Sequence, residues 1–205
     1  MPRHALYGAA ALLAAAVLLT GCVSPAPRPT QPPSPAHNLQ DLDRWEASGR
    51  LGVASREGGG SGSFDWQQRG DHADVQIRGP AGIGSVRLQV EGDPAAPRLR
   101  LETSDGQVLE SQDAWDELEA RLGASVPAGN LRYWMLGIAA PGDHRWLTPQ
   151  AEGTASLEQN GWRIDYQRYA QETVGARVPV RINATSGETR VRIVVNRWHL
   201  GDDEQ

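Results

Sequence analysis

Alternation of apolar and polar residues is the dominant pattern of the chain from about residue 50 onward. Phe64 and Trp66 alternate with Asp65 and Gln67. The same period of two recurs at residues 51–53, 75–77, 86–90, 99–101, 162–166, 178–182 and 191–195. Such a period places apolar side chains on one face of a strand and polar ones on the other. The pattern therefore predicts many strands, each with one buried face.

Turn residues between these runs predict hairpins. Asn160-Gly161 is the strongest turn signal and joins a strand near Leu157 to residues 162–166. Gly70-Asp71 and Asp105-Gly106 predict further turns, and residues 178–182 are expected to pair with 191–195 across a loop at 185–187. The three glycines at 58–60 are interpreted as a mobile hairpin loop.

Three segments have helical spacing instead. Behind Asn38, a candidate N-cap, apolar residues recur at 39, 42 and 45, and Gly49 is the expected stop. Asp113 is the candidate N-cap of a second helix, with Gly123 as its expected stop, and a third helix covers residues 127–137. The apolar positions of these last two helices are Trp115, Leu118, Leu122, Leu131, Trp134 and Met135.

Many one-sided strands with few short helices predict a mainly β fold. We expect an incomplete antiparallel β-barrel, that is, a strongly curved sheet, covered by the helices. Because short helices cannot fill a broad sheet, one arrangement leaves an apolar cavity lined by Trp and Leu. The alternative is that the same residues form an ordinary core, and the pattern alone favours the core.

The N-terminus predicts export and lipid attachment. A positive start at Arg3 and His4 precedes an apolar run at 9–19, which is shorter than the about 20 residues that span a bilayer. Leu-Thr-Gly-Cys at 19–22 resembles the lipobox of bacterial lipoproteins, with Cys22 as the acylated residue. Cys22 is the chain's only cysteine, so no internal disulfide is available to it. The alternative is an ordinary signal peptide with a chance cysteine.

These features divide the chain into four parts. Residues 1–21 are the expected lipoprotein signal peptide, and residues 22–37 are the acylated cysteine with a tether that has six prolines between positions 25 and 35. In polyproline II form, about fifteen such residues reach roughly 45 Å. Residues 38–200 form the folded domain, and residues 201–205 are an acidic tail. Val23 is not the Asp that favours inner-membrane retention, so the outer membrane is expected, with the domain facing the periplasm.

Charge excludes some classes of partner. The formal net charge is -5, which argues against a nucleic-acid binder and against a polybasic surface that docks on anionic lipid. All cations other than histidine are arginine, since the chain has no lysine. Seven Trp against one Phe suggest a wide apolar cluster or cleft.

Patterns of catalysis and metal binding are missing from the sequence. It has no Gly-x-Ser-x-Gly elbow, and its histidines, at 4, 37, 72, 144 and 199, lack metal-ligand spacing. His144 beside Asp143 is interpreted as a solvated pair, and the glycines at 58–62 lack the lysine of a phosphate loop. We therefore expect no enzyme, no catalytic residue, no metal and no cofactor.

The order of motifs resembles the LolB family of outer-membrane lipoprotein receptors. Gly49-Arg50 begins the series, and an aromatic-Trp-Gln-Gln strand follows at residues 64–68. A Gly-Asp turn at 70–71 and a Gly-Pro-x-Gly loop at 79–82 come next. Leu-Arg-x-Trp-x-Leu-Gly at 131–137 and Asn-Arg-Trp at 196–198 complete the series. The resemblance covers nearly all of residues 38–200 together with the lipobox.

This resemblance implies a function. Family members accept lipoproteins from the periplasmic carrier LolA and insert them into the inner leaflet of the outer membrane, without ATP or a covalent step. The implied partners are LolA, acylated lipoprotein cargo and outer-membrane lipid, and we expect a monomer. One alternative is an envelope lipid-binding sensor or regulatory lipoprotein on the same fold, and a lipid hydrolase is a third class.

The resemblance also favours the cavity over the plain core. The residues we expect to contact acyl chains are Phe64, Trp66, Trp115, Leu118, Leu131, Trp134, Met135 and Trp198.

The membrane-insertion loop is expected at Pro80, Ala81, Gly82, Ile83 and Gly84. The family's exposed loop leucine corresponds to Ala81, which has less apolar surface. We expect Ile83, between two glycines, to take over the insertion role. The alternative is a hairpin turn with Ile83 packed inward.

Overall fold

The computed structural model describes residues 39–56, 58–79, 84–122, 127–171 and 176–201. The predicted signal peptide, Cys22, the tether and residues 202–205 of the acidic tail lie outside the described residues. So do Gly123 and residues 80–83 of the predicted insertion loop.

The described chain is mainly β, as predicted, with one antiparallel sheet of eleven strands. The strands are β1 (Arg44–Ser55), β2 (Gly58–Arg69), β3 (His72–Arg78), β4 (Ser85–Glu91), β5 (Arg98–Thr103), β6 (Val108–Glu110), β7 (Arg145–Leu147), β8 (Ala155–Gln159), β9 (Trp162–Gln171), β10 (Arg177–Ser186) and β11 (Thr189–Leu200). Two helices, α1 (Ser111–Leu122) and α2 (Ala128–Leu136), lie between β6 and β7 in the chain.

The sheet is open, and its order is β6-β5-β4-β3-β2-β1-β11-β10-β9-β8-β7. Neighbours in the sheet are neighbours in the chain, except where β1 pairs with β11. That pairing joins two meanders, β1–β6 and β7–β11, into one surface. The short strands β6 and β7 are its edges.

The two ends of the sheet differ. At one end, which we call the tether end, β1 begins at Arg44 and β11 finishes at Leu200, beside the Gly70-Asp71 turn. The opposite end, the hairpin end, carries the connections between β1 and β2, β3 and β4, β5 and β6, β8 and β9, and β10 and β11. The chain therefore enters the domain at the end opposite to the predicted insertion loop.

Several hairpin predictions are confirmed. Asn160-Gly161 connects β8 to β9 with Leu157 opposite Ile164. Ile182 lies opposite Ile193 across β10 and β11. The helix over residues 127–137 is confirmed as α2, which ends at Gly137 in the left-handed conformation with φ 78°.

The predicted first helix is wrong. Only Leu39–Asp41 forms a short 3-10 helix, and β1 begins at Arg44, so Trp45 lies in a strand. In β1, Trp45 and Ala47 are buried and alternate with the exposed Arg44 and Glu46. The strand gains two long partners, β2 and β11, and this tertiary pairing overrides the local helical spacing.

The prediction of a glycine loop at 58–60 is also wrong. These residues begin β2, and Gly58, Gly59 and Gly60 lie opposite Ser55, Ala54 and Val53. Among the described residues the turn lies at Arg56 instead. In a similar way α1 begins at Ser111, so Asp113 lies in its first turn and does not cap it.

Gly49 and Gly52, both in β1, provide a test of the β1–β11 contact. A Cβ atom on Gly49 would overlap the carbonyl oxygen of Val194, whereas a Cβ on Gly52 meets nothing closer than 3.9 Å. We expect Gly49→Ala to lower the free energy of unfolding in urea by about 1–3 kcal/mol, because backbone must move apart. The control Gly52→Ala is expected to be neutral or stabilising. Equal effects of the two variants would contradict this account of β1.

Candidate functional site

The inner face of the sheet and the two helices surround an apolar cavity of about 140 Å³. All of its twenty lining residues are apolar. The sheet contributes Leu51, Val53, Phe64, Trp66, Val75, Ile77, Leu88, Val90, Leu99, Trp162, Ile164, Ile182, Ala184, Val191 and Ile193. The helices contribute Leu118, Ala128, Leu131, Trp134 and Met135.

Six of the eight residues expected to contact acyl chains line this cavity. They are Phe64, Trp66, Leu118, Leu131, Trp134 and Met135. The other two lie elsewhere. Trp115 is half-buried and lines a surface depression with Pro94 and Pro127. Trp198 is buried against Trp45, at 5.4 Å between ring centroids.

Trp198 belongs to an aromatic cluster that closes the cavity at the tether end. Trp45 stacks on Trp66 at 5.3 Å, with an angle of 28° between the rings, and contacts Trp198 on its other side. The Trp198 indole N–H donates to the carbonyl oxygen of Pro179 at 2.8 Å. Residues from β1, β2, β10 and β11 therefore contact one another in this cluster. The contacts hold these four strands together at the tether end of the sheet.

The wall is less buried toward the hairpin end. Leu51 and Val53 of β1, Ile77 of β3, and Val191 and Ile193 of β11 are all half-buried, although their side chains share the inner face. Trp45 and Ala47, farther along β1 toward the tether end, are 2% and 3% exposed. An apolar molecule therefore has access to the inner face from the hairpin end.

Two sets of hydrogen bonds hold helix α2 against the sheet, and we call them the first and the second tie. At the first, the indole N–H of Trp134 donates to the Gln159 side-chain oxygen at 2.9 Å. The same amide group also accepts from the Ala140 N–H at 3.0 Å and donates to the Ala140 carbonyl at 2.8 Å. Gln159 is 4% exposed, so these three bonds satisfy groups that water does not reach.

The second tie connects α2 to the Gly70-Asp71 turn. The Trp66 indole N–H donates to Gln68 at 3.0 Å, and the Gln68 amide donates to the Gly70 carbonyl at 2.9 Å. Arg132 of α2 donates to the same carbonyl at 3.0 Å. The aromatic-Trp-Gln-Gln and Leu-Arg-x-Trp motifs therefore meet in space, and their polar residues hold a cavity wall in place.

Two tyrosines beside the cavity remain neutral. Burial raises the pKa of the Tyr166 phenol well above its ordinary value and that of Tyr169 to about 12. Trp146 and Tyr169 pack on Tyr166, each at 6.2 Å between ring centroids. Neither phenol adds charge to this region at neutral pH.

The predicted insertion loop is bracketed by described residues. The N–H of Gly79 donates to the carbonyl of Gly84 at 3.2 Å, and Arg78 lies opposite Ser85 in the β3–β4 ladder. Gly84 has φ 72°, a conformation that favours glycine. Gly79 and Gly84 therefore lie at the same end of the sheet as the half-buried part of the cavity wall.

Sequence reasoning missed most of the sheet wall, including Leu51, Val53, Val191 and Ile193. The period of two marked each of them as buried, but only the β1–β11 pairing shows that they share one cavity. In the described residues, no group of three His, Cys, Asp or Glu side chains is placed to hold a metal ion. None of the described helices is long and apolar enough to cross a bilayer.

Gln159 offers a test of the first tie. Gln159→Leu leaves the indole N–H of Trp134 and both backbone groups of Ala140 unpaired, so we expect a loss of about 3 kcal/mol in unfolding free energy. The exposed control Gln67→Leu should change it by less than about 0.5 kcal/mol. In a Trp134→Phe background the cost of Gln159→Leu should shrink by about 1 kcal/mol, and additive costs would contradict the proposed tie.

Comparison with known proteins identifies the family. The sequence model described as "Outer membrane lipoprotein LolB" matches residues 43–198. A protein named "Outer-membrane lipoprotein LolB" from Pseudomonas fluorescens is 34% identical over 161 residues, which cover 78% of this chain and 76% of that protein. Its namesake from Chromohalobacter salexigens is 34% identical and covers 91% of this chain and 87% of its own length.

Another protein of the same name, from Ectopseudomonas mendocina, is 32% identical and covers 97% of both chains. Among solved structures, a DUF1329 family protein from Desulfovibrio piger has a TM-score of 0.51 at 6% identity. That match covers 82% of this chain and 89% of the other, and it is a similarity of fold alone. The family match and the relatives together show that the chain belongs to the LolB family of outer-membrane lipoproteins.

Proposed function

We propose that the protein is an outer-membrane receptor that accepts lipoproteins from the soluble periplasmic carrier LolA and inserts them into the inner leaflet of the outer membrane. The observation that carries the proposal is a wholly apolar cavity in a member of this family. Acyl chains are the part of a lipoprotein that needs such a site, because each CH₂ removed from water contributes about 0.8 kcal/mol. The transfer is a binding step, and we expect no catalytic step.

The parts of the chain have matching roles in this proposal. Residues 1–21 direct export, Cys22 carries the lipid, residues 22–37 form the tether, and residues 38–200 bind cargo. Residues 201–205 are a solvated acidic tail. The protein is lipid-anchored to the outer membrane and faces the periplasm, as the names of its relatives support.

The binding domain works as an incomplete barrel with the helices over its inner face. The ties from Trp134 to Gln159 and from Arg132 to Gly70 support this role, since they hold α2 against the sheet. A dry site follows from the arrangement, because the cavity wall presents only apolar side chains. The rigid end of the site is the Trp45, Trp66 and Trp198 cluster.

The cavity must widen to take cargo. Its volume of about 140 Å³ is close to that of an apolar cavity of about 150 Å³ that holds one benzene-sized molecule. A lipoprotein with two or three long acyl chains needs several times more space. We expect the widening at the hairpin end, where the wall is already half-buried and β2 begins with three glycines.

Release follows from proximity to the bilayer. Transfer has to be downhill from carrier to receptor to membrane, so each acceptor must bind the acyl chains better than the donor does.

The β3–β4 loop at residues 80–84, with Ile83 as its apolar contact, is proposed to enter the membrane surface. The Gly79–Gly84 hydrogen bond supports this role because it places both flanking residues at the end where the cavity wall is less buried.

A two-step transfer assay tests the function. The chain from residue 22 onward with Cys22→Ala is mixed with LolA that carries an acylated lipoprotein, and liposomes are then added. We expect cargo to move to this protein first and into the liposomes second. Cargo that stays on an active carrier would instead favour the sensor or regulatory lipoprotein.

Filling the cavity should block the first step. Ala184 lines the cavity, so Ala184→Leu should weaken binding of a triacylated peptide at least tenfold while the unfolding free energy stays close to that of the parent. Ala96→Leu, at an exposed turn, adds the same side chain outside the cavity and should leave binding unchanged. Unchanged binding by the Ala184 variant would place the acyl chains elsewhere.

We expect the β3–β4 loop to contribute to release into the membrane and not to uptake of cargo from LolA. Ile83→Glu places a charge where an apolar side chain enters the bilayer, so we expect it to abolish release into liposomes and to leave uptake from LolA intact. Ser104→Glu changes an exposed turn at the same end and serves as a matched control. Normal insertion by the Ile83 variant would contradict the proposed insertion role of this residue.

A further inference from the structure

The outer face of the sheet carries a band of arginines across β1, β9, β10 and β11. Its members are Arg50, Arg168, Arg181, Arg190, Arg192 and Arg197, all of them exposed. Three of them share one row of the sheet, because Arg50 and Arg181 both lie opposite Val194 and Arg168 lies opposite Arg181. We call this set the arginine band.

Within the described residues, none of these six arginines has a hydrogen bond or ion pair to a carboxylate. Arginines elsewhere on the sheet do have such partners: Arg87 with Asp74, Arg78 with Asp65, and Arg145 with Glu158. Two acids beside the band are already engaged, since Asp165 accepts from Arg163 and Glu188 accepts from Arg56. Although the whole chain has a formal net charge of -5, this part of the outer face of the sheet is therefore positively charged.

The arrangement has a cost for folding. Arg168 and Arg181 are direct cross-strand partners, about 5 Å apart along the hydrogen-bonding direction, and like charges in that position destabilise a sheet. Small or neutral residues separate the other cations, among them Gly52, Asn183 and Thr185. Such a local conflict without a compensating contact is typical of a functional surface.

We propose that the arginine band docks on the phosphate groups of the bilayer surface and holds the domain on its side against the membrane. Arginine suits this partner because its planar fork donates two parallel hydrogen bonds to phosphate oxygens. The inference rests on the proposed outer-membrane location, which keeps a phosphate-rich surface within one tether length of the domain. It differs from the sequence-based expectation, which used the net charge of the whole chain to argue against a polybasic contact with lipid.

A side-on orientation resolves a geometric conflict. β1 begins at Arg44 at one end of the sheet, whereas Gly79 and Gly84, which flank the proposed insertion loop, lie at the other end. A strand of twelve residues is about 40 Å long, so an upright domain with its hairpin end on the bilayer would need most of the roughly 45 Å reach of the tether. With the band against the membrane, both ends lie at its surface.

Vesicle binding without an anchor tests the proposal. The chain from residue 22 onward with Cys22→Ala is sedimented with vesicles of phosphatidylethanolamine and phosphatidylglycerol, or of phosphatidylcholine alone. We expect binding to the anionic vesicles that is lost in high salt. The triple variant Arg50→Gln, Arg181→Gln, Arg192→Gln should bind roughly a hundredfold more weakly, about five-fold per arginine.

A matched triple variant controls for net charge. Arg87→Gln, Arg98→Gln and Arg100→Gln remove the same charge from arginines that have carboxylate partners, and should weaken vesicle binding less than about five-fold. The band variant should melt no lower than the parent, because it relieves the repulsion between Arg168 and Arg181. Equal weakening of both triples, or parent-like vesicle binding by the band variant, would overturn the proposal.

Cargo uptake from LolA, measured without vesicles, separates this inference from the proposed function. If the parent takes up no cargo, the receptor proposal is contradicted, but the vesicle-binding experiment still tests the proposal for the arginine band. If the band variant binds vesicles normally but takes up cargo poorly, the band docks an acidic protein surface, and the membrane proposal is wrong.

Discussion

The pairing of β1 with β11 is the interaction on which the rest of the structure depends. It joins two meanders, each made of strands that are neighbours in sequence, into one sheet of eleven strands. The inner faces of both meanders then become one apolar wall, and Trp45 comes to lie between Trp66 and Trp198. Without this pairing each half would expose its apolar face. The close approach of Gly49 to Val194 marks the place where no larger residue fits between the two strands.

Polar ties as well as apolar packing hold α2 beside the cavity. Gln159 and Gln68 accept the indole protons of Trp134 and Trp66, so two large rings in the cavity wall are fixed without filling the space between them. The wall is closed at the tether end and half-buried at the hairpin end. The wall therefore presents only apolar side chains, and it is less buried at the end of the sheet where β3 and β4 are connected.

Sequence patterns predict the elements that depend on nearby residues. They fail where pairing with a strand far away in the chain determines the structure. The period of two, the Asn160-Gly161 turn and the helical spacing within residues 127–137 identified strands, a hairpin and a helix correctly. Residues 39–45 have helical spacing, but β1 forms there because partners about 20 and 150 residues away complete both of its ladders. Six of eight expected acyl contacts line the cavity, whereas Val53 and Val191 were missed because their shared location depends on the register. The arginine band was missed because net charge averages over all faces.

Site-specific photo-crosslinking tests the central claim, that acyl chains occupy the space between the sheet and the helices. A photoreactive amino acid replaces Met135, inside the cavity, or the exposed Val108 on an edge strand. Each protein is loaded with a radiolabelled triacylated peptide and irradiated. The account predicts crosslinks to the acyl chains from position 135 and none from position 108. Efficient labelling from position 108 with none from position 135 would place the lipid outside the cavity and contradict it.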